Sequence, residues 1–272
     1  MNNVFELLKN AHIYDLSQPY FPGMPHYPTH PPFLFGLTKK HGDLVLDNEV
    51  SSAADSISLG THVGTHIDAL CHFSCGGKLH GGVDARANQD YATGIGRLSV
   101  DTIEPLLRRG VLLDIAGLEG TAALRPDFAI RPQHLDRALE RHGLKIGKGD
   151  VVLLRTGWGA FWNDPVRYIS GGSGAQVVGP GPEREGAEWL SSRGVFAAGS
   201  DTVSFEKVPS GMPVHVHLLV ESGIHIIEAL NLEKLAAGGT YEFLFIAIPL
   251  KIRGATGSPI RPLAVATGLD LE

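Results

Sequence analysis

Between Thr61 and Phe73 the chain reads Thr-His-Val-Gly-Thr-His-Ile-Asp-Ala-Leu-Cys-His-Phe, which sets His62, His66, Asp68 and His72 at i, i+4, i+6 and i+10. Neutral imidazole and carboxylate are usual protein ligands of Zn²⁺ and Mn²⁺. A catalytic site of that kind takes about three of them and leaves one position for water or substrate. His62, His66 and Asp68 supply three. His72 is then left over, close enough in sequence to act on a metal-bound water, and the stretch reads as the heart of a metal-dependent hydrolase. The chain has 13 histidines, so chance clustering in a polar loop is the competing reading. Gly60 and Gly64 weigh against it, because glycine lets the backbone turn tightly and approach an ion closely.

A helix would bring His62 and His66 onto one face. Gly60, Gly64 and the β-branched Val63, Thr65 and Ile67 disfavour one. An extended or looped run is predicted instead, with His62, His66, Asp68 and His72 sharing one side by alternation. Cys71 then points away, which favours small-residue packing over a Cys-His nucleophile. Cys71 and Cys75 are the only cysteines, too few and too close for a disulfide framework.

The elements that must hold this run follow an α/β pattern. Helical spacing of apolar residues predicts helices over 2–10, 99–109, 132–143 (with Pro132 in the first turn), 182–193 and near 214–221. Continuous apolar runs after four of them, at Val111–Leu113, Val151–Leu154, Val195–Ala198 and Ile224–Ile227, read as buried strands, and Tyr241–Ile248 as another. The proline-rich stretch from Pro19 to Pro32 is excluded from a central strand and is expected to be a lid or pocket wall. Residues 170–181 read as a glycine-rich surface loop. No linker divides the chain, so 1–272 is expected to be one domain.

Charged residues at 19% and hydrophobic residues at 43% suit a globular enzyme. A formal charge of -6 gives no reason to expect nucleic acid or an anionic membrane as partner. No apolar run approaches a membrane span. The opening Met1-Asn2-Asn3-Val4-Phe5-Glu6 has no basic stretch leading into an apolar core, so no signal peptide is expected and the expected compartment is the cytoplasm.

The motif His62-x-Gly64-Thr65-His66-x-Asp68-x-x-x-His72-Phe73 resembles the signature of the cyclase family of metal hydrolases, which includes the bacterial kynurenine formamidases and isatin hydrolase. Further segments match along nearly the whole chain: Asp15-Leu16-Ser17, Val152–Trp158, Gly199-Ser200-Asp201-Thr202, and Gly254-x-x-Gly257-Ser258-Pro259-x-Arg261. Leu70 stands where many members have proline. The resemblance implies an α/β fold with a mixed, partly barrel-like β-sheet and helices packed outside, of the swivelling β/β/α type. It also implies a homodimer or homotetramer in which a neighbouring chain can line the pocket.

On the same resemblance, Pro213–Leu219 and Gly223–Leu230 are similar to the family's second metal segment, with His215 and Glu228 as ligands beside His62, His66 and Asp68. His217 is out of that register and is expected to be a packed or helix-surface residue. Five ligands serve either two ions or one, Zn²⁺ or Mn²⁺. The implied reaction is hydrolysis of an amide, in a cyclic amide or arylformamide, by metal-activated water with His72 as general base and then acid. A lactone or ester hydrolase, or a metal-dependent cyclase, is the alternative on the same fold; a non-catalytic binding protein would need no spare base. Ser258 and Arg261 are candidates for substrate contact because they lie in a turn similar to a family loop near the active site. Arg261 either clamps a substrate carboxylate or forms a structural ion pair. Phe21, His26 and His80 are further substrate-binding candidates. Asp201 either orients a ligand histidine or caps a turn.

Overall fold

In the computed structural model, which describes residues 9–266, the centre of the molecule is one nine-stranded mixed sheet. Its strands in chain order are β1 (His12–Asp15), β2 (His66–Asp68), β3 (Leu106–Asp114), β4 (Val151–Arg155), β5 (Ala197–Ser200), β6 (His225–Glu228), β7 (Glu242–Ala247), β8 (Gly257–Pro259) and β9 (Leu263–Ala266). Their spatial order is β1-β9-β7-β3-β4-β5-β6-β2-β8. The central β3-β4-β5-β6 ladder is parallel, and antiparallel strands continue it on both sides.

The parallel strands are buried on both faces, which is why their sequences read as unbroken apolar runs. Leu112, Leu153, Ala197, Ile227 and Ile67 point into one core, enclosed as the sheet curls, together with Phe243 and Phe245 of β7. Val111, Leu113, Val152, Leu154, Ala198 and Ile226 point to the other, against Leu135 of the helix Pro132–Arg141, Leu190 of the helix Arg184–Ser192, and Val214 and Leu218. Helices therefore pack outside a half-barrel sheet. Gly110 of β3 is fixed by this packing, since a Cβ there would lie 2.2 Å from the Phe243 ring.

Two expectations change. The helix expected over 99–109 is a single 3₁₀ turn, Val100–Thr102, followed by β3 from Leu106. Pro105 removes a donor and ends any helix there, and pairing with β7 and β4 outweighs the helical spacing of the leucines. The segment near 214–221 is a short α-turn, Pro213–His215, that widens into a π-helix, Val216–Ser222. The helix expected over 2–10 falls almost wholly outside the described residues. A two-stranded ribbon, Leu34–Lys39 with Ala54–Ser58, stands apart from the main sheet and leaves Leu34, Phe35, Leu37 and Ile57 exposed. Among the described residues no helix is long and apolar enough to cross a membrane.

Candidate metal centre

The predicted run is extended only over His66–Asp68 and turns on either side of it. Alternation sends Ile67 into the enclosed core and leaves His66 and Asp68 on the opposite, helix-covered face. Glu228 is the antiparallel partner of His66 across β6 and β2, so its carboxylate shares that face. The α-turn Pro213–His215 packs over the same side and brings His215 Nε2 to 3.2 Å from Glu228 Oε1. Sheet register and one helix thus join two sequence segments about 150 residues apart.

Gly64 makes the turn into β2. Its φ is +72°, and a Cβ there would fall 2.4 Å from the Tyr20 ring. The Tyr20 hydroxyl donates to the carbonyls of Val63 and Thr65, 3.1 Å to each. Gly64→Ala should lower stability by about 1–3 kcal/mol through left-handed strain and this overlap. A chemical-denaturation midpoint equal to wild type would show that the turn tolerates a side chain.

The ligand atoms are aimed by their neighbours. The His66 ring bonds the Gly64 carbonyl through Nδ1 at 2.8 Å, which leaves Nε2 to face Asp68 Oδ1 and Glu228 Oε2, each 3.4 Å away. His62 Nδ1 lies 2.6 Å from Asp68 Oδ1, and its Nε2 lies 2.7 Å from Thr256 Oγ1. The Phe205 N–H donates to Glu228 Oε1 at 2.7 Å. His225 supports Asp68 from behind, bonding its backbone carbonyl at 2.8 Å. Two overlapping groups result, His62-Asp68-His72 and His66-Asp68-Glu228, and within each the potential ligand atoms lie inside 4.8 Å of one another. Asp68 belongs to both. Complete burial works to raise its pKa, but the imidazoles and hydrogen bonds around it hold the carboxylate ionised, well below the usual carboxylate range.

The residues fit a divalent cation on a direct observation. His66 Nε2 and Asp68 Oδ2 are buried and have no hydrogen-bond partner among the described residues. Orphaned buried polar atoms are costly, and a lone-pair nitrogen beside an ionised carboxylate is the donor set that a cation satisfies.

His72 stacks on His62 with ring centroids 3.7 Å apart and lines the cavity. Burial pushes its pKa down to about 3, against the pull of Asp68. The imidazole is therefore neutral at physiological pH, with a nitrogen lone pair available to the cavity. The cavity, about 380 Å³, is walled by Tyr27, Thr29, His30, Phe73, Val203 and Met212, among others. The proline-rich stretch does form a pocket wall, through Tyr27, Thr29 and His30.

The expected substrate-contact residues lie elsewhere. Phe21 packs with Met24 and Trp162, and His26 lines a separate groove against Ile169. His80 bonds the Val220 carbonyl at 2.9 Å and lies against Gly223. The buried Ser258 hydroxyl accepts from Leu250 N–H and donates to the Pro259 carbonyl, both at 2.8 Å. Arg261 forms a surface ion pair with Asp15 at 2.7 Å, the structural alternative foreseen for it. Asp201 caps a turn, accepting from Thr156 N–H, Thr156 Oγ1 and Gly157 N–H at 2.9, 2.6 and 2.8 Å. His217 lies between Glu221 and Ser191, away from the centre. Cys71 is buried in the enclosed core, and burial pushes its thiol up to about 12, so it is packing and not a nucleophile.

The family described as "Putative cyclase" matches residues 14–207. An isatin hydrolase of Roseibium aggregatum is 30% identical over 215 residues, covering 76% of this chain and 72% of that protein. A kynurenine formamidase of Bordetella petrii is 25% identical over 254 residues, covering 92% and 96%. A crystal structure of a protein described as a novel cyclase superposes with a TM-score of 0.86 at 28% identity, covering 96% of this chain and 88% of that one.

Proposed function

This chain belongs to the cyclase family, and from that premise we propose that it is a metal-dependent hydrolase that opens an amide bond, with a cyclic amide or an arylformamide as its substrate class. The observation that carries the reading is the pair of orphaned ligand atoms, His66 Nε2 and Asp68 Oδ2, in a buried group with Glu228. The relatives named isatin hydrolase and kynurenine formamidase support hydrolysis of C–N bonds.

His62, His66, Asp68, His215 and Glu228 would hold one or two Zn²⁺ or Mn²⁺ ions. A divalent ion held by these residues would supply Lewis acidity, lowering the pKa of water and polarising a carbonyl. His72, neutral and facing the cavity, takes a proton from the attacking water and returns it to the leaving nitrogen. Phe73 packs on His215 with centroids 4.8 Å apart and gives the cavity an apolar wall on that side. Tyr27, Phe73 and Met212 offer apolar walls to a flat aryl or bicyclic amide.

The purified protein, assayed on an N-formyl anilide, isatin and an aryl lactone, should hydrolyse one of the amides fastest. Turnover of the lactone alone would replace the amide assignment with a lactonase on the same centre. Glu228→Ala should leave the chain folded and weaken the centre: bound metal falls by about half if two ions are held, or stays at one with weaker binding. Metal binding and turnover equal to wild type in that variant would make Glu228 a bystander.

A further inference from the structure

We propose that Glu206 is a positioning residue for the metal centre: it holds the His215 ring by Nδ1 so that Nε2 is presented to the ion. This rests on the hydrolase reading above, and none of the matched motifs contains Glu206. The residue lies in the loop after β5 and is almost fully buried, 1% exposed. A buried carboxylate needs partners, and all those of Glu206 belong to the segment that carries His215 or lead into it. Oε1 accepts from His215 Nδ1 at 2.6 Å and from the His215 backbone N–H at 3.1 Å. Oε2 accepts from Ser210 Oγ at 2.9 Å and, more weakly, from Val214 N–H at 3.4 Å. One side chain therefore caps the first turn of the 213–222 segment and grips the imidazole that the turn delivers.

The grip fixes two things. With Nδ1–H donated to a carboxylate, the lone pair of a neutral ring lies on Nε2, the atom 3.2 Å from Glu228 Oε1. The ring also loses its freedom to rotate about its Cβ–Cγ bond. A carboxylate behind a ligating imidazole further raises its donor strength, and loss of such a partner typically costs about 10–100-fold in metal affinity. Phe73 covers the ring face without a hydrogen bond, so it cannot replace this orientation.

The test uses Glu206→Gln, which removes the charge and replaces one of the two accepting oxygens by an –NH₂ donor, so the His215, Ser210 and Val214 donors can no longer all be accepted. Zn²⁺ affinity measured by chelator competition should fall about tenfold, while the melting temperature of the metal-free protein stays within a few degrees of wild type. A purely structural cap would move the melting temperature and leave affinity alone, and that result overturns the proposal. A second measurement needs no variant. Long-range ¹H–¹⁵N spectra of zinc-loaded wild type should show the His215 proton on Nδ1, and a proton on Nε2 overturns the assignment even if Glu206→Gln fails to fold. A wild type that takes up no ion removes the hydrolase reading and this inference together. A wild type that binds Zn²⁺ no better than Glu206→Gln removes only the role of Glu206.

Discussion

Asp68→Ala should leave the protein folded, empty of metal and without measurable hydrolysis. Asp68 is the one side chain common to both ligand groups, and its carboxylate is held ionised and completely buried. Removing it takes a ligand from His62 and His72 on one side and from His66 and Glu228 on the other. It also removes the negative charge that holds several imidazoles together in a dry site. Metal analysis after gel filtration should find little or no bound ion, and activity should drop by more than any single loss of a proton carrier. A stoichiometric ion retained in a His62→Ala/Asp68→Ala double variant would place the metal elsewhere.

The second large effect separates chemistry from binding. His72→Ala should keep the ion and lose turnover by roughly 10²–10⁴-fold, the range for a missing general acid–base. The stacked His62 and His72 rings make a competing outcome concrete, because His72 is itself one of the three members of the first group. If metal and activity disappear together, His72 is a ligand, and His30 becomes the next proton carrier to test, with its ring 5.3 Å from His62 and 6.3 Å from His72.

The ligand run was legible because chemistry concentrates its residue types: three imidazoles, a carboxylate and two glycines between Gly60 and His72 have few structural uses. The parallel strands were legible because burial on both faces writes unbroken apolar runs, as in Val151–Leu154. His215 and Glu228 were legible only through resemblance. Nothing local marks them, and the register that sets Glu228 opposite His66 is a non-local fact. Glu206 is a lone carboxylate in a loop, and its only local cue is its place nine residues before His215. The helix expected over 99–109 failed where spacing competed with Pro105 and a two-sided strand partnership. Phe21 and His26 are candidates as walls of the proline-rich loop, His80 because it closely follows the ligand run, and Ser258 and Arg261 because their turn resembles a family loop near the active site. The turns around them direct their side chains to other partners, as with Arg261 and Asp15. The proline-rich loop reads correctly as a wall, but alternation does not hold in an irregular loop, so its pocket-facing residues could not be picked out.

The most direct measurement is amide hydrolysis before and after removal of divalent ions. Protein treated with a strong chelator and desalted should lose at least about 99% of its rate on the best amide substrate, consistent with the scale of lost metal and acid–base catalysis. Stoichiometric Zn²⁺ or Mn²⁺ should restore it to wild type but not to Asp68→Ala. An unchanged rate in protein verified to be metal-free would contradict the account.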